Sequence, residues 1–351
     1  MSILAPRPMP GATGRPPLPR VDPITRLPIL ILYPHSRCNC RCVMCDIWKD
    51  TTRSELSPES IAGWITEWRT LGVERVVLSG GEALLHSQLW TRCDHLRGAG
   101  IGITILSTGL LLKRHAVELV RRCDDVVVSL DGPQAIHDRV RNIPRAFERL
   151  AEGVAAVRAA DASVHVTARC TVQRANHDAL RATVGAAHSA GFERISFLAA
   201  DVSSDAFNRP NGWDDAHTAA VALSAAEVSV LAAEIDALER ENAADFATGF
   251  IAESPAKLRR RLVQYFDALV NDTAPPPNEC NAPWVSSVIE SDGTVRPCFF
   301  QPPLGNVHTD GGLGAVLNSP ASIAWRAGLD VSRDAICRKC VCTLSLRPGG
   351  A

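Results

Sequence analysis

Short apolar runs alternate with longer amphipathic stretches between residues 29 and 200. The first amphipathic stretch begins at Ser57 and Pro58, residue types favoured at a helix start, and its apolar residues recur at helical spacing. Because parallel strands need a crossover connection, usually a helix, this alternation predicts a parallel α/β architecture. The runs that predict strands are Ile29–Tyr33, Arg75–Leu78, Ile101–Leu106, Asp125–Leu130, Ser163–Thr171 and Arg194–Leu198.

The pattern changes after residue 200. Residues 201–273 have few strand-like runs and predict helices, and three consecutive prolines within residues 274–278 indicate a linker. Further on, two apolar runs flank Ser291-Asp292-Gly293, which predicts a hairpin. We therefore expect a flexible arm (1–28), an α/β domain (29–200), a helical bridge (201–273) and a cysteine-rich C-terminal domain (274–351).

The composition narrows the function classes. The chain has 351 residues, and Lys+Arg 37 against Asp+Glu 38 give a formal net charge of −1, so we expect no nucleic-acid partner. No apolar run approaches the roughly 18 residues of a membrane span. The first 20 residues lack the apolar core of a secretory signal. We expect a soluble, cytoplasmic protein that does not bind membranes.

The cysteines are unusual in number and in spacing. Twelve are present, and a chain of this size without a secretory signal can bury a core without disulfides. Clustering at short spacing in a reducing compartment favours metal ligation. The first group is Cys38, Cys40, Cys42 and Cys45, the second is Cys280, Cys298, Cys337, Cys340 and Cys342, and Cys93, Cys123 and Cys170 stand alone.

The first group directly follows the first predicted strand and has the form Cys38-x3-Cys42-x2-Cys45. Three thiolates on one loop can hold a metal centre and leave one coordination position open, as reactive sites do. Cys40 could be a fourth ligand of a structural zinc ion, but we expect it to be a bystander to the other three cysteines. From these residues alone, a reactive cluster, a zinc site and chance all stay open.

Further motifs follow the loop in a fixed order. Gly80-Gly81-Glu82 ends the second predicted strand, Ser107-Thr108-Gly109 ends the third, and Ser129-Leu130-Asp131-Gly132-Pro133 ends the fourth. This order resembles the radical S-adenosylmethionine (SAM) superfamily, whose signature is a Cys-x3-Cys-x2-Cys loop after the first barrel strand. The carboxyl edge of the strands is also where α/β barrels build their sites.

The resemblance implies a partial parallel (β/α)6 barrel in residues 29–200 with a small C-terminal cysteine-rich appendage of the SPASM/twitch type. It implies a [4Fe-4S] cluster on Cys38, Cys42 and Cys45, whose open iron binds SAM. Met44 stands where many relatives have an aromatic ring over the adenine. The residues implied in cofactor binding are Met44, Gly80, Gly81, Glu82, Ser107, Thr108, Ser129, Asp131 and Arg169.

Polar and apolar residues alternate along the fifth predicted strand. The period of two places His165, Thr167 and Arg169 on one face, which we interpret as a polar barrel interior. Arg169 could then contact the carboxylate or ribose of SAM. His165 is the candidate for a catalytic residue on this face. Cys170 lies on the opposite face, which favours packing over its alternative role as a hydrogen donor.

The second cysteine group has the spacing Cys280-x17-Cys298 followed by Cys337-x2-Cys340. This resembles the twitch form of the SPASM appendage, which binds one auxiliary [4Fe-4S] cluster with four cysteines. The resemblance implies these four as ligands, with Cys342 as an alternative fourth ligand. A structural zinc site would use two pairs of cysteines equally well, so the residues alone do not separate the two.

The resemblance implies an enzyme that cleaves SAM reductively to a 5′-deoxyadenosyl radical, with flavodoxin or ferredoxin as electron donor. Only about 28 residues precede the first strand, too few for the peptide-binding domain of many peptide-modifying relatives. We therefore expect oxidation, epimerisation or rearrangement of a small molecule in cofactor or natural-product biosynthesis. The alternatives are a maturase of a peptide or protein side chain and a non-enzymatic iron–sulfur scaffold or electron-transfer protein. Candidate substrate contacts are Asp201, Asp205, Asn208, Arg209, Asn211, Trp213 and Asp214.

Overall fold

A computed structural model describes residues 23–346 and places its strands in one nine-stranded sheet of order β6-β5-β4-β3-β2-β1-β7-β8-β9. Neighbouring strands from β1 to β6 are parallel, which confirms the predicted α/β class with six parallel strands. Strands β6 and β9 are the two edges of the sheet and do not pair with each other, so the parallel strands β1 to β6 form a partial barrel. The strands are β1 Ile29–Leu32, β2 Arg75–Leu78, β3 Gly102–Ser107, β4 Asp125–Ser129, β5 His165–Val172, β6 Ile195–Ala199, β7 Ser286–Ile289, β8 Thr294–Arg296 and β9 Gly305–Asn306.

Helices connect the strands and cover the outer face of the sheet. Ser57 caps the first helix as predicted, because its Oγ accepts a hydrogen bond from the Ser60 N–H at 3.1 Å. The α-helices are α1 Pro58–Thr70, α2 Leu89–Gly98, α3 Leu112–Arg122, α4 Gln134–Arg141, α5 Ala146–Ala160, α6 Leu180–Ser189, α7 Asp215–Val221, α8 Ala225–Glu241, α9 Ala243–Thr248, α10 Pro255–Leu258, α11 Gln264–Val270, α12 Ala282–Val285, α13 Leu313–Leu317, α14 Pro320–Gly328 and α15 Ala335–Lys339.

The helical bridge packs against the barrel. Helix α8 buries Leu231, Ile235 and Leu238 in the main core, and a π-helical turn at Arg259–Val263 joins α10 to α11. By length and composition alone, the stretch Asp215–Glu241 could cross a membrane. It consists of two separate helices, α7 and α8, and α8 packs one face into the main core.

Strand β1 lies in the interior of the sheet, between β2 and β7, and is buried along its whole length. It pairs in parallel with β2 on one side and with β7 on the other, so that Ile31 lies beside Val77 and Val288. These three side chains pack in one apolar cluster inside the barrel. The outward residues Leu30 and Leu32 belong to the main core under the helices.

The inner face of the barrel changes character from its amino end to its carboxyl end. At the amino end, the Arg75 guanidinium donates to Asp125 Oδ2 at 2.6 Å and to Thr104 Oγ1 at 2.9 Å. The apolar cluster around Ile31 follows, and the next layer, at the carboxyl ends of the strands, is polar. The barrel is therefore closed at one end and offers polar side chains at the other.

The C-terminal segment continues the barrel sheet. The predicted hairpin exists, with β7 and β8 antiparallel around Ser291-Asp292-Gly293, and β7 joins β1 in parallel. A second connection is made by the Glu67 carboxylate of α1, which accepts the Leu313 N–H at 3.1 Å and the Gly314 N–H at 2.8 Å at the start of α13. The boundaries of the four predicted segments stay predictions, and the arm (1–28) lies mostly outside the described residues.

We expect Glu67→Ala to weaken the attachment of the C-terminal segment to the barrel. Its carboxylate satisfies two helix-start N–H groups, so its loss should lower the free energy of unfolding by about 1–2 kcal/mol. Arg69→Ala, which changes an exposed residue of the same helix, is the control and should change the stability little. Denaturant unfolding measures both variants, and equal stabilities would contradict this attachment.

Candidate active site

The first cysteine loop leaves the carboxyl end of β1 and is held by the main chain of α4. The Arg41 N–H donates to the Arg141 carbonyl, and the Val43 N–H donates to the Val140 carbonyl, both at 3.2 Å. Within the loop, the Cys45 N–H points to the Cys42 carbonyl at 3.4 Å. The loop is therefore held between the first strand and the fourth helix by main-chain hydrogen bonds.

The thiols of this loop are largely removed from solvent. Burial raises the pKa of Cys38 and of Cys45 to about 12. A hydrogen bond from Cys40, and then the charge of Arg141, lower the pKa of Cys42. Buried thiols of this kind become thiolates when a positive group or a metal centre lies beside them.

Asp131 and Arg141 form a buried ion pair beside the loop. Arg141 Nε donates to Asp131 Oδ2 at 2.6 Å, and its other arm reaches Cys42 Sγ at 3.6 Å. The second oxygen of Asp131 accepts the Thr171 N–H at 3.0 Å, which ties this pair to β5. Asp131, implied as a cofactor ligand by the resemblance, thus holds the guanidinium that faces the Cys42 sulfur.

The glycine pair after β2 allows the cysteine loop to approach closely. A Cβ on Gly81 would lie 1.9 Å from the Arg37 carbonyl oxygen, and one on Gly80 would lie 2.7 Å from the Tyr33 ring. The Glu82 N–H donates to the same Arg37 carbonyl at 2.9 Å. The close contact that requires glycine here is with the loop itself, in addition to any contact with a ligand.

The Glu82 carboxylate is fully buried and already has several donors. The Thr108 N–H and Oγ1 donate to it at 2.6 Å, Ser107 Oγ lies at 3.1 Å, and the Leu84 N–H donates at 3.1 Å. Burial raises the pKa of Glu82, and these hydrogen bonds oppose that rise. Glu82, Ser107 and Thr108, which the sequence implies in cofactor binding, thus form one network at the ends of β2 and β3.

The remaining implied cofactor residues lie around the same edge. Met44 packs in a small apolar cluster with Cys40 and Cys42. Ser129 and Arg169 are neighbours in the register of β4 and β5. Arg169 Nε is buried and has no hydrogen-bond partner among residues 23–346. A buried guanidinium N–H without a partner at this edge fits an anionic or hydrogen-bond-accepting ligand group.

The structure does not place the two catalytic candidates in the site. His165 is the first residue of β5, is exposed, and pairs with Glu193 at 2.9 Å, so its assignment to a polar barrel interior is wrong. The reason is its position at the amino end of the strand, opposite the cysteine loop. Cys170 is buried in the main core, with its Sγ 3.6 Å from Asn176 Nδ2, which agrees with the packing role expected for it.

The second cysteine group is held together by amide side chains. Asn278 Nδ2 donates to the carbonyls of Cys337 at 2.6 Å and Cys340 at 3.0 Å, and Gln301 Nε2 donates to Cys337 Sγ at 3.3 Å. Burial raises the pKa of Cys298 to about 11, and the charges of Cys280 and Cys342 act in the same direction. Within residues 23–346, no group of three or more Cys, His, Asp or Glu side chains lies close enough together to hold a metal ion.

A cavity of about 780 Å³ opens between the two cysteine groups. Its wall includes Tyr33 and Gly81 on the barrel side and Phe299 and Cys340 on the C-terminal side. Gly81 packs against the first cysteine loop at Arg37 and Cys38, and Cys340 belongs to the second cysteine group. The Tyr33 ring stacks on Phe299 with centroids 6.2 Å apart. The cavity therefore extends from the neighbourhood of one cysteine group to the other.

The predicted substrate loop reaches this cavity in part. The residues of the loop that line the cavity are Asp201, Asp205, Asn208 and Arg209. Trp213 instead donates to Asp46 Oδ2 at 2.8 Å, Asp214 caps α7 by accepting the His217 N–H at 2.7 Å, and Asn211 is absent from the lining.

Sequence reasoning missed the wall that the C-terminal segment contributes, including Glu290 and Arg296. Its position depends on the parallel pairing of β7 with β1, two strands that are distant in the chain. Parallel pairing at such separation leaves no local pattern, so only the position of Glu290 at the end of an apolar run could have indicated it.

Comparison with known proteins identifies two domains. The model of the radical SAM superfamily matches residues 32–187, which includes the first cysteine loop and all the motifs at the carboxyl edge. The model of the SPASM iron–sulfur cluster-binding domain matches residues 280–341. The chain contains a radical SAM domain followed by a SPASM domain.

Curated relatives match this radical SAM protein over part of its length. An AdoMet-dependent heme synthase of Methanosarcina barkeri is 29% identical over 174 residues, 48% of this chain and 49% of that protein. A 7-carboxy-7-deazaguanine synthase of Rhodopirellula baltica is 34% identical over 89 residues, 25% of this chain and 32% of that protein. The chain thus spans half or less of the length of these relatives.

Solved structures share the fold over most of the chain. Streptococcus suis SuiB bound to SAM has a TM-score of 0.62 at 15% identity and covers 90% of this chain and 72% of its own. The enzyme anSMEcpe with bound AdoMet has a TM-score of 0.63 at 17% identity and covers 90% of this chain and 87% of its own. At these identities the likeness shows the fold of a radical SAM barrel with a C-terminal SPASM domain.

These two domains confirm the expected cofactors, iron–sulfur clusters of the [4Fe-4S] type and SAM. The described residues fit them on three observations. Cys42 Sγ lies 3.6 Å from the Arg141 guanidinium, Gly81 leaves no room for a side chain beside the loop, and Arg169 Nε lacks a partner among the described residues. We therefore assign Cys38, Cys42 and Cys45 to the SAM-binding cluster as a proposal that mutation can test.

We expect Cys42→Ala to lose the cluster of the first loop, because three thiolates are the minimum set that holds it. Cys40→Ala is the matched control in the same buried loop and should retain the cluster. Iron and sulfide analysis after anaerobic reconstitution measures both. If Cys40→Ala lost as much iron as Cys42→Ala, the assignment of Cys40 as a non-ligand would be wrong.

We expect Arg141→Gln to make the reduction potential of this cluster more negative. The guanidinium lies against Cys42 Sγ, and a nearby positive charge favours the more negative, reduced state, so the fall should be on the order of tens of millivolts. Arg139→Gln, on the exposed side of α4, is the control. Redox titration followed by EPR measures the potentials.

Because Arg141→Gln leaves Asp131 buried without a partner, the variant could also lose stability. The double variant Asp131→Asn/Arg141→Gln removes the unpaired carboxylate. Its reduction potential should still be lower than that of the wild type, but by less than in Arg141→Gln. Potentials equal to wild type in both variants would show that this ion pair does not act on the cluster.

Proposed function

We propose that this radical SAM protein removes a hydrogen atom from a small molecule, leading to oxidation, epimerisation or rearrangement in cofactor or natural-product biosynthesis. The observation that carries the proposal is the cavity of about 780 Å³ between the two cysteine groups. A substrate held there would lie beside the SAM-binding edge of the barrel on one side and the SPASM domain on the other.

When bound, the reduced cluster and SAM supply a 5′-deoxyadenosyl radical, which takes the hydrogen atom from the substrate. The residues of this chain position the reactants around that chemistry. Arg141 stabilises the negative charge of the loop sulfurs, and Arg169 is available for the carboxylate or ribose of SAM. Tyr33 and Phe299 both line the cavity, and their stacked rings contribute an aromatic part of its wall.

The names of the curated relatives support a small-molecule substrate, since they are a heme synthase and a deazaguanine synthase. A peptide substrate is the alternative. SuiB has been solved with its precursor peptide SuiA, and anSMEcpe with a Cp18Cys peptide, and both share this fold. For this chain, the binding of small-molecule and peptide probes distinguishes the two.

We further propose one auxiliary [4Fe-4S] cluster, held by Cys280, Cys298, Cys337 and Cys340, with Cys342 as the alternative fourth ligand. The support is the proximity of part of this group: Cys340 Sγ lies 3.1 Å from the Cys342 carbonyl, and Asn278 Nδ2 donates to the carbonyls of both Cys337 and Cys340. The cytoplasm is the proposed location, because a flavodoxin or ferredoxin there would supply the electron.

The test is cleavage of SAM by the anaerobically reconstituted protein after reduction with dithionite. We expect chromatography to detect 5′-deoxyadenosine, and we expect the variant that replaces Cys38, Cys42 and Cys45 with alanine to form none. Absence of 5′-deoxyadenosine from wild-type protein with its clusters intact would contradict the proposal and favour an iron–sulfur scaffold or electron-transfer protein.

A further inference from the structure

The charges of the cavity wall divide into paired and unpaired groups. Arg209 and Asp201 are both buried and form an ion pair, and Arg296 Nε donates to Glu290 Oε1 at 2.7 Å. Burial and the charge of Arg37 lower the pKa of His35, another wall residue, to about 4, so it is neutral at pH 7. These five groups therefore add no net charge to the cavity.

The unpaired charges are mostly negative. Asp50, Asp205 and Asp292 line the cavity, and so does Lys339; none of the four forms an ion pair within residues 23–346. Three carboxylates against one ammonium leave a net charge of −2 on the wall. A cavity with this balance attracts a cationic ligand and repels an anionic one.

Residues with hydroxyl groups also line this cavity. Ser36 lines the cavity, is 6% exposed, and its Oγ has no hydrogen-bond partner among the described residues. Ser54 and Ser291 meet across the wall with their Oγ atoms 2.6 Å apart. A buried hydroxyl without a partner is costly, so Ser36 is an independent indication of a polar ligand group.

We propose that the cavity binds its substrate through a primary ammonium group that is flanked by hydroxyl or amide groups. Asp50, Asp205 and Asp292 attract the ammonium, and Ser36 hydrogen-bonds to the polar neighbour. An amino polyol and a lysine side chain of a peptide share this chemistry. A porphyrin carries carboxylates and no primary ammonium group. The proposed ligand therefore differs from the porphyrin chemistry that the name of the heme synthase relatives indicates.

This inference rests on the proposed function, since it takes the cavity as the substrate site. Its test needs no turnover: binding to the reconstituted protein with SAM is measured by anaerobic titration calorimetry. The probes are 2-deoxystreptamine, its uncharged analogue myo-inositol, coproporphyrin III, and the peptide Gly-Gly-Lys-Gly-Gly with its norleucine analogue.

We expect at least one amine probe to bind at least about tenfold more tightly than its uncharged analogue, and more weakly as salt rises. The double variant Asp50→Asn/Asp205→Asn should lose most of that difference. Asp161→Asn is the matched control, because Asp161 accepts the Ser163 N–H at 2.8 Å as Asp50 accepts the Thr52 N–H at 2.8 Å, but away from the cavity.

The amine probe that binds identifies the source of the ammonium, a small molecule or a peptide. Equal binding of amine and uncharged analogues, tighter binding of coproporphyrin III, or no effect of the double variant would overturn the inference. Failure of the proposed function is separate from these outcomes, because it appears as absence of 5′-deoxyadenosine whether or not amines bind.

Discussion

Strand β1 is hydrogen-bonded along both edges, to β2 and to β7, and the rest of the site depends on this double pairing. Its carboxyl end leads directly into the cysteine loop, so the position of that loop is set by two neighbouring strands. On one side, the glycines after β2 meet the loop backbone. On the other, Glu290 follows β7, and the Tyr33 N–H donates to the Ile289 carbonyl at 2.9 Å. The two cysteine groups consequently lie beside the same cavity.

Buried charge is the second constraint on this edge of the sheet. Several ionisable groups are buried here, and each has hydrogen-bond or ion-pair partners that offset the cost of burial. Glu82 accepts hydrogen bonds from Thr108 and Ser107, Asp131 pairs with Arg141, and Asp201 pairs with Arg209. Such groups are costly without partners, so their networks fix the geometry of the site. Arg169 Nε and Ser36 Oγ lack partners in the described residues and mark where ligands complete the arrangement.

Much of this site could be predicted because its signals are local. The strands of the barrel follow from apolar runs, and the motifs at their ends share one edge because parallel strands end together. The position of β7 beside β1 could not be predicted, since it depends on a pairing between residues such as Ile31 and Val288 that are far apart in the chain. His165 shows another limit: alternation assigns a face of a strand, but the end at which a residue lies decides whether it reaches the site. The donors to Glu82 depend on side-chain geometry that no sequence period specifies.

The most direct test of this account is the EPR spectrum of the reduced, reconstituted protein before and after SAM is added. The account assigns an open iron to the cluster of Cys38, Cys42 and Cys45, and a complete set of four thiolates to the cluster of the SPASM domain. It therefore predicts that SAM changes the signal of the first cluster and leaves the second unaltered. A spectrum that SAM does not change, or a first loop that contains zinc without sulfide, would contradict it.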